Sequence, residues 1–140
     1  MKICVIDGQG GGIGSAIIKK LKDVYDESVE LIALGTNAIA TAQMLKARAN
    51  RGASGENAII RTVKHVDIII GPIGIVLAHS MMGEVTPKMV EAVSSSPAPK
   101  FLLPLTQENV TIVGSVPMPL PRLIEELIEN YLKELIIQDV

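Results

Sequence analysis

Five glycines fall within seven residues in the run Asp7-Gly8-Gln9-Gly10-Gly11-Gly12-Ile13-Gly14-Ser15. Glycine turns the backbone through positive φ without a side-chain clash and lets bare N–H groups come close to a ligand. A helix starting here adds roughly half a positive charge at its first turn. The chemistry expected of such a run is anion binding, a phosphate being the natural occupant. Asp7 complicates the expectation, because a carboxylate repels a neighbouring phosphate unless a cation or a ligand hydroxyl intervenes. It either caps the turn, the simpler role, or holds Mg2+. A crossover that needs glycine only for tight strand-to-helix packing is the competing account.

Other candidates lie at places where a neighbouring strand should end. Thr36 and Asn37 follow Gly35 and can either hydrogen-bond a ribose, base or phosphate or cap the next helix. Gly71, Pro72 and Gly74 form a second breaker-rich turn, and residues 104–107 a third. His79, Ser80 and Glu84 follow the second turn, and a His and carboxylate pair there would suit proton transfer. Ordinary polar decoration of a helix end explains the same three residues. Glu56 and Asn57 have the character of a helix start first and a substrate contact second. Lys46, Arg48 and Arg51 fit a solvated helix face better than a phosphate site. His65 has no neighbours that would complete a metal-ligand set.

The elements that must position these groups follow from hydrophobic periodicity. Residues 2–7 read as a short strand whose run Ile3-Cys4-Val5-Ile6, apolar with little alternation, is that of a strand covered on both faces. From Gly12 the pattern becomes helical, with Ile13, Ala16, Ile17, Leu21 and Val24 inward and Lys19, Lys20 and Lys22 outward. Further strands are expected over 29–34 and 66–70, with candidates at 100–103 and 110–113. Helices are expected from Thr36 or Asn37 to about Asn50, over about 56–64, from Thr86-Pro87 to about Val93, and over about 120–137. The last of these should bury Leu123, Leu127, Ile128, Tyr131, Leu132 and Leu135. Residues 51–55 read as a polar turn, and 76–83 is left unassigned.

Alternating strands and helices joined by short turns predict one α/β domain over residues 1–140. It is a doubly wound, mostly parallel, Rossmann-like sheet with helices on both faces. Ligands of such sheets gather beyond the carboxyl ends of the strands, where the turns named above should meet.

Composition excludes several classes of partner. The chain has 140 residues, 48% apolar and 20% charged, with 13 basic and 15 acidic side chains and a formal net charge of -2. No basic footprint for nucleic acid is visible, and one Phe and two Tyr are too few to stack single strands. Cys4 is the single cysteine, so a disulfide framework and a cysteine metal cluster are excluded. The apolar stretch over 68–82 is interrupted by Gly71-Pro72 and Gly74 and falls short of the ~20 residues a bilayer needs. The start of the chain lacks the apolar run of a signal peptide. A soluble cytoplasmic protein with no membrane partner is the expectation.

The spacing Gly8-x-x-x-Gly12-Ile13-Gly14 resembles the cofactor turn of short-chain dehydrogenases. Gly8-x-Gly10 overlaps the first half of the general dinucleotide pattern, whose third glycine is replaced by Ile13. That resemblance stops before catalysis. The family's Tyr is followed four residues on by Lys, whereas here Tyr25 is followed by Val29 and Tyr131 by Leu135. The acidic residue that would grip a cofactor ribose is also missing, since Gly35-Thr36-Asn37 stands in its place.

Over nearly the whole chain, a set of phrases resembles a family of small bacterial proteins of unknown function. They are Ile6-Asp7-Gly8-Gln9-Gly10-Gly11-Gly12-Ile13-Gly14, Leu34-Gly35-Thr36-Asn37-Ala38, Gly55-Glu56-Asn57-Ala58, Gly71-Pro72-Ile73-Gly74-Ile75 and Gly83-Glu84-Val85-Thr86-Pro87. The resemblance implies that the phrases belong to one site. The binding residues expected are Gly8, Gln9, Gly10, Gly11, Gly12, Ile13, Gly14, Thr36, Asn37, Gly71, Pro72 and Gly74. The ligand expected is nucleotide-like, NAD or another adenine nucleotide, bound by a module with a regulatory role that can form a homodimer. The alternative is a small enzyme using His79, Glu84 or Asp7 in the same crevice. An oligomeric scaffold is a third reading, but it leaves the glycine run unexplained.

Overall fold

The computed structural model describes residues 1–136. Five short strands, β1 (Lys2–Asp7), β2 (Glu30–Gly35), β3 (Arg51–Ser54), β4 (Ile68–Pro72) and β5 (Lys100–Leu103), form one sheet in the order β3-β2-β1-β4-β5. Every pairing is parallel. Between and after them run α1 (Gly12–Tyr25), α2 (Ala38–Lys46), α3 (Glu56–Thr62), α4 (Pro87–Ser95) and α5 (Leu120–Leu127).

Side chains alternate across the sheet, and β1 divides the core accordingly. Ile3 and Val5 join the apolar cluster built with α1, α2 and α5, whereas Cys4 and Ile6 join the one built with α3 and α4. Helices therefore cover both faces, as the doubly wound reading expects. Cys4 is fully buried, and that burial pushes its thiol up to about 12.

Helix starts follow their capping chemistry. Asn37 accepts the N–H of Ala40 at the head of α2, and Thr86 accepts that of Met89 at the head of α4, where Pro87 stands in the first turn. Among the described residues, no helix is long and apolar enough to cross a membrane.

Several boundaries differ from expectation. Residues 51–54 form the edge strand β3 rather than a turn. An edge strand is hydrogen-bonded on one side only and need not be apolar, so Arg51-Gly52-Ala53-Ser54 carries no hydrophobic signal. Residues 110–113 are not a strand: among the described residues the sheet pairs no further strand with β5, and this run is exposed and irregular. The second helix stops at Lys46, four residues early, and Asn50 instead accepts the N–H of Leu31.

Lys22 is buried rather than outward. Its ammonium donates to Asn50 Oδ1 at 2.9 Å and Glu27 Oε1 at 3.2 Å, so a buried charge is matched by acceptors. The last helix passes at Ile128–Leu132 into a π-helical turn that leaves Tyr131 54% exposed and Leu135 beyond it 43% exposed. Ile137, its expected last residue, lies outside the described residues.

Candidate functional site

In a doubly wound sheet the crossovers diverge at one point, here between β1 and β4. A crevice opens there beyond the carboxyl ends of the strands. It is a cleft of about 730 Å³, within the range of small-molecule sites. Asp7, Gln9 and Ile13 line it from the glycine turn, Pro72, Gly74, His79 and Met81 from the chain after β4, and Leu105 to Glu108 with Leu120 from the far wall. Among the described residues, no Lys or Arg lines it.

The first turn of α1 already has an anion. Asp7 is buried at the end of β1, and its two carboxylate oxygens accept the N–H of Gly8 at 2.8 Å and of Gly14 at 2.7 Å. Gly14 is the third residue of α1, so Asp7 satisfies a donor that the helix itself leaves unpaired. The carboxylate thus fills the cap role expected for it. Burial raises its pKa, the N–H groups of Gly14, Gly8 and Ile13 act against that, and the charge of Glu84 adds to the rise; the net direction is upward.

A second carboxylate closes the ends of β1 and β2. Glu84 Oε1 accepts three hydrogen bonds, from Gln9 N at 2.8 Å, Thr36 Oγ1 at 2.6 Å and Asn37 Nδ2 at 2.9 Å. Burial pushes its pKa up, but the bonds from Thr36, Gln9 and Asn37 outweigh this and hold it below the usual carboxylate range. Glu84 reaches across on a strained loop. His79, Met81 and Met82 have φ of +69°, +57° and +56°, each costing on the order of 1–3 kcal/mol for a residue other than glycine. The loop is held by Ser80, whose hydroxyl donates to the carbonyl of Gly74 at 2.5 Å, and by Met81 N, which donates to Glu108 Oε1 at 3.1 Å.

The glycines divide by what a side chain would meet. A Cβ on Gly8 would run into Thr36 Oγ1, Met81 Sδ at 2.6 Å and Glu84 Oε1 at 2.9 Å. One on Gly11, where φ is +73°, would lie 2.8 Å from the carbonyl of Ala40. One on Gly14 would lie 2.5 Å from Met44 Sδ and 2.9 Å from Asp7 Cβ. Gly14 thus supplies the close packing that the third glycine of a dinucleotide turn provides, one position after Ile13. Gly71 is likewise needed beside the carbonyl of Ile6. A Cβ on Gly10 or Gly12 would meet nothing within 4 Å. Among the described residues, no acceptor takes the N–H of either.

Of the twelve residues expected to bind, Gln9, Ile13, Pro72 and Gly74 line the cleft, and Gly10 and Gly12 lie between the first two in the chain. Gly8, Gly11, Gly14 and Gly71 pack against the protein itself. Thr36 and Asn37 bond Glu84. The proposed pair of His79 and Glu84 is not formed, because Glu84 turns toward β2 while His79 lines the cleft. Glu56 accepts the hydroxyl of Thr86 at 2.6 Å and so joins two helix starts. Arg48 and Arg51 pair with Asp23 and Glu30 at the surface. Among the described residues, no group of three or more His, Cys, Asp or Glu is placed to hold a metal ion. Sequence reasoning missed Met81, Met82, Glu108 and Leu120; the adjacent methionines just before Gly83 were the available signal for an apolar wall.

No curated protein matches the chain. A solved structure described as a dodecameric FMN-dependent UbiX-like decarboxylase from Escherichia coli O157:H7 aligns with 99% of this chain and 96% of its own. The TM-score is 0.51 at 13% identity, a likeness of fold. A family profile covers residues 2–136, and the chain belongs to that family, described as a domain of unknown function, DUF3842.

Proposed function

We propose that this protein is a binding module for a single nucleotide unit, held in the cleft between the ends of β1 and β4. The observation that carries the reading is the pair Gly10 and Gly12, open to solvent and with unclaimed N–H groups, flanked in the chain by Gln9 and Ile13, which line a cleft of about 730 Å³. Neither glycine is required by the packing of the chain, so their role points outward, to a ligand that approaches the backbone closely. Ile13, Met81, Leu105 and Leu120 offer an apolar wall for a ring, and Thr106 and Gln107 offer polar edges. With Asp7 already on the helix start and no cation in the lining, one phosphate on backbone donors fits better than a pyrophosphate. A flavin mononucleotide is the first ligand to test, since the structure of like fold is described as FMN-dependent; an adenine mononucleotide is the next.

A second reading, a small enzyme, is favoured by His79, which lines the cleft in a left-handed conformation. Self-association is also part of the proposal, because Val113 and Val116 are 95% and 65% exposed in the irregular segment that follows the far wall. A reducing cytoplasm suits the lone thiol.

The test is a thermal-shift comparison of wild type and Gly12→Val with FMN, AMP and GMP. A ligand at about 100 times its Kd adds roughly 2.7 kcal/mol of stability. The expected result is a rise in Tm that Gly12→Val removes while keeping the Tm of the unliganded protein. No rise with any mononucleotide overturns the reading.

A further inference from the structure

We infer that Glu84 is a specificity-determining residue that closes the second half of the crevice and restricts the ligand to one nucleotide unit, excluding dinucleotides. In a dinucleotide-binding sheet of this order, the second nucleotide lies across the end of β2, where a side chain of the protein grips its ribose. Here the donors at that place, Thr36 Oγ1, Asn37 Nδ2 and Gln9 N, all converge on one oxygen of Glu84. The space is closed as well, since Met81 Sδ and Glu84 Oε1 lie within 3 Å of where a Cβ of Gly8 would stand. Asn37 is further committed, giving Nδ2 also to the carbonyl of Gln9 and accepting the N–H of Ala40. A ribose would have to displace a carboxylate held by three donors, and would then face the neighbouring Asp7. The β4 side keeps its cleft, so one half of the crevice is occupied by the chain and the other is left for a ligand.

The inference rests on the proposal that a mononucleotide binds in the cleft, and the two are separated by measuring FMN and NAD in parallel. Isothermal titration of wild type, Glu84→Gln and Glu84→Ala gives both affinities for each protein. In wild type and in Glu84→Gln, which keeps the volume and an acceptor oxygen, NAD is expected to bind at least about tenfold more weakly than FMN. Glu84→Ala is expected to gain about tenfold or more for NAD, with FMN changed less than about threefold (tenfold being about 1.4 kcal/mol).

Gain of NAD by Glu84→Ala with no FMN binding in any protein removes FMN as the ligand of the cleft and keeps the assignment of Glu84. Wild type taking NAD as tightly as FMN, or Glu84→Ala leaving NAD unchanged, overturns the inference. Should Glu84→Ala fail to fold, amide NMR spectra of wild type with FMN decide. Shifts at Gly10, Gly12 and Gly74 that spare Thr36 and Asn37 support the inference, and the reverse pattern overturns it.

Discussion

The strand ends on the two sides of β1 are built from similar residue types and end in opposite states. Toward β2, Gly8, Thr36, Asn37 and Glu84 form a closed network in which the named donors find acceptors and added volume would clash. Toward β4 a cleft stays open, and Gly10 and Gly12, between the cleft-lining Gln9 and Ile13 in the chain, keep open space and unclaimed N–H groups. Glycine by itself does not separate the two sides. What does is whether a Cβ would meet the protein, because a glycine forced by packing is explained by the fold and one left open is not.

The sharpest way to break this comparison is to place the same side chain on each side. Gly8→Val should cost about 3 kcal/mol through overpacking, whereas Gly10→Val should stay within about 0.5 kcal/mol, both measured by urea unfolding. Equal losses would remove the distinction.

Asp7→Asn comes next. An amide offers one acceptor oxygen to two buried N–H groups, so one of Gly8 and Gly14 loses its partner, at a cost of about 2 kcal/mol. Gly12→Ala should go the other way, raising stability by about 0.5–1 kcal/mol at the start of α1 while weakening the mononucleotide; calorimetric melts with and without FMN report both effects.

The two carboxylates act oppositely with pH. The folded pKa of Glu84 is lowered, so its contribution is complete above the ordinary value of 4.5 and is lost as pH falls through the lower, folded value. The folded pKa of Asp7 is raised from 3.8, so stability declines as pH rises from there through the folded value. Melts between about pH 3 and pH 7 should therefore show a shallower acid loss in Glu84→Gln than in wild type. The smallest effect is expected at the exposed pair of Arg48 and Asp23, where Arg48→Ala should change unfolding free energy by less than about 0.5 kcal/mol.

Where burial or capping imposes a residue type, the sequence was legible. β1 is apolar because both its faces are covered, and Asn37 and Thr86 mark helix starts through their own oxygens. The cap role of Asp7 followed from its place before a glycine turn. β3 was hidden because an exposed edge selects no hydrophobic pattern, and 110–113 misled because β-branched residues signal a strand whether or not a neighbour exists. The fate of Thr36 and Asn37 was not legible, since it depends on Glu84 arriving from 47 or 48 residues away. That loop runs through left-handed backbone at a histidine and two methionines, which no propensity anticipates.

The lone thiol at the centre of β1 turns the molecule into its own reporter. Cys4 is fully enclosed and its pKa lies near 12, so an alkylating reagent at neutral pH meets neither access nor thiolate until the central strand comes apart. The rate of labelling therefore counts openings of the core. Any compound that binds the native cleft slows that count, so a library can be screened by mass spectrometry on untagged protein, without knowing beforehand what the ligand is.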